Sequence, residues 1–208
     1  MTVLYDYWRS SAAYRLRIAL AHLGESYDSV AVDLLAGEQR GADNLARNPQ
    51  GLVPTLDIDG QLLTQSLAIL EYLDETRAAG FLPKDPVGRA RVRALAYAIA
   101  MEIHAVCNLR VARFAGEASG AAISTEAWMQ HFIAQGLAAV DQMLDHPATG
   151  PLCHGDRISL ADICLVPQIY NARRWGVDLG PYPRIRAVLE VLEGMPAVQA
   201  AHPDRWKP

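Results

Sequence analysis

Two hydroxyls and a guanidinium follow one another at Arg9-Ser10-Ser11. There a short run, Val3 to Tyr5, gives way to the helical spacing of Leu16, Ala19, Leu20 and Leu23, closed by Gly24. The first turn of a helix carries N–H groups without intrahelical partners and a partial positive charge, so it favours an anion. A hydroxyl placed there can hydrogen-bond to a thiolate and lower its pKa, by the physics that tunes protein cysteines at helix starts. The same hydroxyl can serve simply as an N-cap. A second anion-receptive start is Gln65-Ser66, ahead of the helical run Leu67 to Leu73, where first-turn N–H groups can hold a carboxylate. Between the two lies Val53-Pro54 at the beginning of a strand. A Val-Pro peptide there is constrained, cis or trans, and leaves a backbone edge free.

The second half of the chain carries another set. His104 and Asn108 stand four apart on a helical pattern and share a face, with Arg110 about 120° round from them. A lone helical histidine is as a rule structural. Arg173-Arg174 ends a helix, and cations favour that end for electrostatic reasons alone. Ser159-Leu160-Ala161-Asp162 reads as a capping box, in which hydroxyl and carboxylate satisfy orphan amides. Asp162 is therefore expected to serve folding and not chemistry.

These residues need elements to hold them. The order reads strand–helix–strand–helix–strand–strand–helix up to Arg77, with Asp59-Gly60 as a hairpin turn between Thr55–Ile58 and Gln61–Leu63. Residues 78–86, with two prolines and a glycine, form a linker. Beyond it the pattern is helical, with one long helix expected from Val87 to about Gly116 and another from Ser124 to Leu144. The domains are thus 1–77, an α/β domain, and 87–208, all-α.

Composition narrows the chemistry. The chain has 208 residues, enough for a core without a disulfide or metal staple, and 51% are hydrophobic against 20% charged. A net charge of −4 gives no electrostatic footprint for nucleic acid or an anionic membrane. No long uncharged apolar run or signal-peptide pattern is present. Cys107, Cys153 and Cys164 are odd in number and widely spaced, without a CxxC pair or zinc-like grouping. The expectation is a cytoplasmic protein with reduced, buried thiols and no metal.

The element order, with serine, Val-Pro and Gln-Ser at these places, resembles the thioredoxin-like half of a glutathione transferase. Arg9-Ser10-Ser11, Gly37-Glu38-Gln39 and Asn48-Pro49-Gln50 resemble the zeta class, which includes maleylacetoacetate isomerases. The likeness runs to Tyr182-Pro183. It implies an α/β thioredoxin-like N-terminal domain plus an all-α C-terminal domain, the glutathione transferase fold, with glutathione as cofactor and a homodimer as assembly. The γ-glutamyl carboxylate would sit at Gln65 and Ser66, the cysteinyl backbone at Val53 and Pro54, and the sulfur beside Ser11 or Ser10. Gln39 and Gln50 are either secondary contacts or ordinary surface amides.

The pattern His104-x-x-x-Asn108-x-Arg110 resembles bacterial isomerases of maleylacetoacetate or maleylpyruvate. It implies Asn108 toward glutathione, and His104 and Arg110 toward substrate, with His104 as proton shuttle or hydrogen-bond donor. Arg174 matches the family's acid-binding position, and Arg9 adjoins the serines; planar guanidinium groups grip carboxylate and enolate oxygens. The implied activity is glutathione-dependent cis–trans isomerisation of maleylacetoacetate in aromatic amino-acid catabolism, including tyrosine degradation. The alternatives are maleylpyruvate isomerisation, a glutathione transferase or dehalogenase, and a non-catalytic scaffold. One departure is Ala12, where zeta members often carry cysteine after the two serines. The nucleophile belongs to glutathione, so the missing thiol does not by itself abolish the chemistry.

Overall fold

The computed structural model describes all 208 residues, Met1–Pro208, and they divide into two compact units. The first comprises Met1–Phe81 together with Gly194–Pro208, the second Leu82–Glu193.

The first unit begins β1 (Val3–Asp6), α1 (Ser11–Leu23) and β2 (Asp28–Ala31). A 3₁₀ turn at Glu38–Arg40 leads to α2 (Ala42–Arg47), β3 (Thr55–Ile58), β4 (Gln61–Thr64) and α3 (Ser66–Arg77). The strands form one mixed sheet in the order β2-β1-β3-β4. β1 runs parallel to β2, as the α1 crossover between them allows, and antiparallel to β3. Asp59 and Gly60, at φ 55° and 73°, make the two-residue turn into β4, the backbone hand that matches strand twist. Leu4, Leu56 and Ile58 from the sheet meet Leu16, Ala19 and Leu20 of α1 and Ile69, Leu70 and Leu73 of α3 in a core closed to solvent.

One α1 residue breaks the apolar pattern. Arg17 is fully buried. It donates to Asp6 Oδ2 at 2.5 Å, to the Trp8 carbonyl at 2.7 Å and to the Ala201 carbonyl at 3.2 Å. Trp206 stacks on Tyr27 with ring centroids 5.7 Å apart. These contacts correct the domain boundary read from sequence: residues 194–208 belong with the first unit, and the helical domain ends at Glu193. A helical pattern does not tell which core its apolar face joins; a buried guanidinium waiting for a carbonyl does.

The second unit is helical: α4 (Pro86–Tyr97), a π-helical segment (Ala98–Ile103), α5 (His104–Val106), α6 (Leu109–Ala118), α7 (Thr125–Met143), α8 (Leu160–Arg174) and α9 (Pro183–Glu193). The single helix expected over 87–116 is therefore interrupted. Its hydrogen-bond ladder widens to the π form before His104 and stops at Asn108, whose φ −66° and ψ 135° are extended, and the parts on either side bend by 41°. Alanine-rich propensity hides this break, because no proline or glycine marks it. A Cβ on Gly136 would lie 2.3 Å from Ile103 Cγ1, so α7 and the π segment approach closely only because residue 136 lacks a side chain.

α8 is the buried axis, with Leu160 to Ile169 closed to solvent. Its start is held by Asp162. Oδ2 accepts from the Ser159 N–H at 2.8 Å and hydroxyl at 2.6 Å, and Oδ1 accepts from the Cys153 N–H at 2.8 Å. Burial pushes the Asp162 pKa up, against the lowering effect of those hydrogen bonds. No single helix is long and apolar enough to cross a membrane.

Candidate active site

The first unit gathers the residues that can receive a thiol and a carboxylate. Ser10 is the N-cap of α1, its Oγ accepting from the Ala13 N–H at 3.3 Å. Ser11 follows as the first helical residue, half-buried, in a turn without an acidic side chain. The hydroxyl at Ser11 is thus the one not used in capping. The β1–β3 register pairs Tyr5 with Thr55. Continued two residues beyond that pair, the register sets Val53 across from Tyr7, just ahead of Arg9-Ser10-Ser11. The Val53–Pro54 peptide is cis.

Asn48, 2% exposed, shapes the approach to that peptide. Its Nδ2 donates to the Leu52 carbonyl, and its Oδ1 accepts from the Gln50 N–H, both at 3.1 Å. Gln50 Oε1 then accepts from Gln65 Nε2 at 2.7 Å, which ties the loop to the start of α3. Gly51, at φ 63°, allows the loop to meet the 3₁₀ turn, since a Cβ there would lie 3.2 Å from the Gln39 carbonyl. Gln39 Oε1 is buried without a protein partner.

The start of α3 is built differently from a closed helix end. Gln65 occupies the cap position at φ 68° and ψ 107°, offers no side-chain cap, and no acidic residue follows in the first turn. A non-glycine residue at positive φ costs on the order of 1–3 kcal/mol, a conformation that persists where surrounding structure enforces it. Ser66 is 6% exposed, and its hydroxyl accepts from Arg15 Nη1 at 3.1 Å. Arg15 is itself buried and lies one helical turn after Ser11. Unpaired helix amides, a hydroxyl and a buried cation therefore converge where an anion can dock.

The remaining candidates divide between the units. Arg9 lies with its guanidinium 5.2 Å from the Trp8 ring centroid. In the helical unit Arg174 ends α8, exposed, its guanidinium 4.7 Å from the Trp175 ring centroid. Arg173 is ion-paired with Glu193. His104 stands half-buried directly after the π segment. Asn108 does not continue the helix of His104, as its spacing suggested; it caps α6, its Oδ1 accepting from the Arg110 N–H at 3.1 Å. The shared helical face of His104 and Asn108 is thereby corrected, and Arg110 falls in the first turn of α6, where the helix dipole disfavours a cation.

The protein's own thiols offer no nucleophile. All three cysteines are buried; burial raises Cys107 to about 11 and Cys153 well above the usual range. Sequence reasoning missed Arg15, and took Asn48 only as part of the motif Asn48-Pro49-Gln50, without a role of its own. The spacing of Arg15, four residues after Ser11, was a visible signal, whereas the part Asn48 plays depends on a loop that only the fold closes.

The family model of the glutathione S-transferase N-terminal domain matches residues 2–75, and that of its C-terminal domain matches residues 126–191. The chain belongs to the glutathione S-transferase family. It is 63% identical to maleylacetoacetate isomerase of Rhizobium meliloti (strain 1021), covering 100% of this chain and 98% of that protein. Among solved structures it resembles a bacterial zeta-class maleylpyruvate isomerase at 42% identity and TM-score 0.92, covering 97% and 96% of the two chains. It also resembles maleylacetoacetate isomerase of Anaeromyxobacter dehalogenans with glutathione bound, at 46% identity and TM-score 0.89, covering 100% and 97%.

Proposed function

We propose that this protein is a glutathione-dependent cis–trans isomerase that converts maleylacetoacetate to fumarylacetoacetate. The carrying observation is the start of α3, where strained Gln65 and Arg15-bound Ser66 leave a helix terminus uncapped by any carboxylate of the chain. That terminus fits the γ-glutamyl carboxylate of glutathione. The Val53 backbone ahead of Pro54 fits the extended cysteinyl peptide, and Gln39 and Gln50 supply further amides. The high identity to a maleylacetoacetate isomerase supports the choice of reaction.

When bound, glutathione supplies a thiolate that adds reversibly to the activated cis double bond and departs after rotation, so it is not consumed. The chain's residues make this possible. The Ser11 hydroxyl and the first amides of α1 favour negative charge on sulfur, while Ser10 fixes the helix start. Arg9 and Arg174 are assigned the substrate's carboxylate and the carbonyl oxygen on which charge develops. His104 and Arg110 are assigned hydrogen bonds to substrate, and the Asn108 amide N–H₂ a contact to glutathione. We further propose a homodimer, supported by the family, in the cytoplasm, for which three buried cysteines outside any disulfide speak.

The test is to supply maleylacetoacetate with catalytic amounts of glutathione and follow isomer and free thiol together. Conversion without thiol loss is expected. Thiol loss in step with product would make the protein a conjugating transferase instead. Glutathione binding without either reaction would point to a scaffold and to Ala12 as its cause.

A further inference from the structure

The two arginines that end α8 are held by different chemistry. Arg173 is ion-paired with Glu193, whereas the Arg174 guanidinium lies over the Trp175 ring, 4.7 Å from its centroid. A ring engages the face of a guanidinium and not the N–H fork in its plane, so a stacked arginine can still grip a carboxylate. The direction of the Arg174 fork therefore depends on where the Trp175 ring stands.

Trp175 is the C-cap of α8, at φ −91° and ψ 9°, and Gly176 follows in the left-handed region at φ 69°. Carbonyls at a helix end lack intrahelical donors. The turn supplies donors for two of them. The Gly176 N–H donates to the Arg173 carbonyl at 3.1 Å, and the Val177 N–H to the Ala172 carbonyl at 3.0 Å. The Trp175 carbonyl accepts from another element instead: Gln130 Nε2 of α7 donates to it at 2.9 Å. The same Nε2 faces Glu126 Oε1, one turn earlier on α7, at 3.4 Å. Both neighbours are acceptors, which sets the amide with its nitrogen toward them.

α7 is a firm base for that bond. Ser124 caps its start, Oγ accepting from the Ala127 N–H at 3.1 Å. Trp128 Nε1 donates to the Val106 carbonyl at 3.0 Å, and the Tyr182 hydroxyl donates to the Ala134 carbonyl at 2.9 Å. Trp128 and Gln130 stand two residues apart, about 200° round the helix, so this part of α7 is tied on opposite sides.

We propose that Gln130 is a positioning residue of the substrate site: its amide fixes the Trp175 backbone, the Trp175 ring fixes Arg174, and Arg174 meets the acid substrate. Only the last link rests on the isomerase reading; the first two are geometry within the helical unit.

Gln130→Met keeps the length of the side chain and a good helix former while removing the donor. Trp175 is half-buried, so water can take over its carbonyl, and the melting temperature should stay within about 2 °C. KM for maleylacetoacetate should rise about fivefold, with kcat within about twofold and glutathione affinity unchanged. Because Gln130 acts through Arg174, adding Gln130→Met to Arg174→Ala should leave KM at the roughly tenfold rise of Arg174→Ala alone. A rise of about fiftyfold, the product of two independent effects, would overturn the proposal, as would an equal loss of glutathione affinity. A second readout needs no substrate. Nitrogen-15 relaxation of the Arg174 Nε–H group in the full chain should show greater picosecond-to-nanosecond motion in Gln130→Met than in the parent, with the Arg173 signal unchanged. Unchanged Arg174 motion would sink the proposal whatever the chain isomerises. Increased motion in a protein whose parent leaves maleylacetoacetate untouched would uphold the two links from Gln130 to Arg174 and remove the isomerase reading alone.

Discussion

The first turns of α3 and α8 present the same backbone problem, and the chain resolves it in opposite ways. At α8 a carboxylate of the protein, Asp162, stands three residues after the cap Ser159 and accepts hydrogen bonds around the helix start. At α3 the equivalent position after Gln65 is Ala68, exposed and uncharged, and the cap residue is strained instead of capping. A helix start closed by its own acid is a folding device. One that is kept without an acid, with a buried arginine at its first hydroxyl, is prepared for an acid that arrives from outside. At the far end of α8, Arg173 is ion-paired with Glu193 and the Arg174 guanidinium lies over Trp175.

The sharpest way to break this comparison is Asp162→Ala, which strands the Cys153 and Ser159 N–H groups in the core. It should cost about 3 kcal/mol in urea unfolding, with glutathione affinity of the folded protein unchanged. Arg174→Ala should raise KM for the acid substrate about tenfold, the scale of one lost charge-assisted contact, and leave glutathione affinity alone. Equal losses for both ligands would make Arg174 structural. Ala68→Asp carries the α8 solution into α3. The chain's own carboxylate should then compete with the ligand's, lowering glutathione affinity about fivefold by calorimetry without loss of thermal stability. An unchanged affinity would remove α3 from the site.

Two further variants probe charges that serve only the fold. Asp59 receives two hydrogen bonds from Arg77 and one from Tyr72, which hold its pKa at about 2 against an ordinary 3.8. Its folded pKa is depressed, so its contribution is present above pH 3.8 and disappears as pH falls toward about 2. Asp59→Asn should flatten that part of the acid limb of a stability–pH curve and leave activity at neutral pH unchanged. The smallest effect belongs to Arg173→Ala. Both partners of its ion pair are about half exposed, so the cost should stay below about 0.5 kcal/mol by thermal unfolding, with kinetics intact.

What the sequence made legible was local chemistry. Gly24 in the left-handed cap of α1, Asp59-Gly60 in its hairpin, Ser124 at the start of α7 and Asp162 at α8 each act within a few residues, where pattern and structure share one cause. The two serines of α1 separate for the same reason, since Ser10 caps and Ser11 does not. What stayed hidden depends on residues far apart in the chain. Arg15 meets Ser66 across 51 positions, and Arg17 meets Ala201 across 184. The break before His104 is hidden differently. Its residues are good helix formers, and a tertiary approach at Gly136 accompanies the widened turn.

The return of residues 194–208 to the first unit gives the chain a particular order of manufacture. On a ribosome the strands and α1 emerge first, yet the carbonyl that completes the hydrogen bonding of Arg17 belongs to a residue made 184 positions later. The nascent thioredoxin-like half therefore holds a buried guanidinium incompletely satisfied until Ala201 has been made and has folded back. The arrival of residues 194–208 is the event that seals the first unit, so a product cut short before them would expose its defect in the half that was already made.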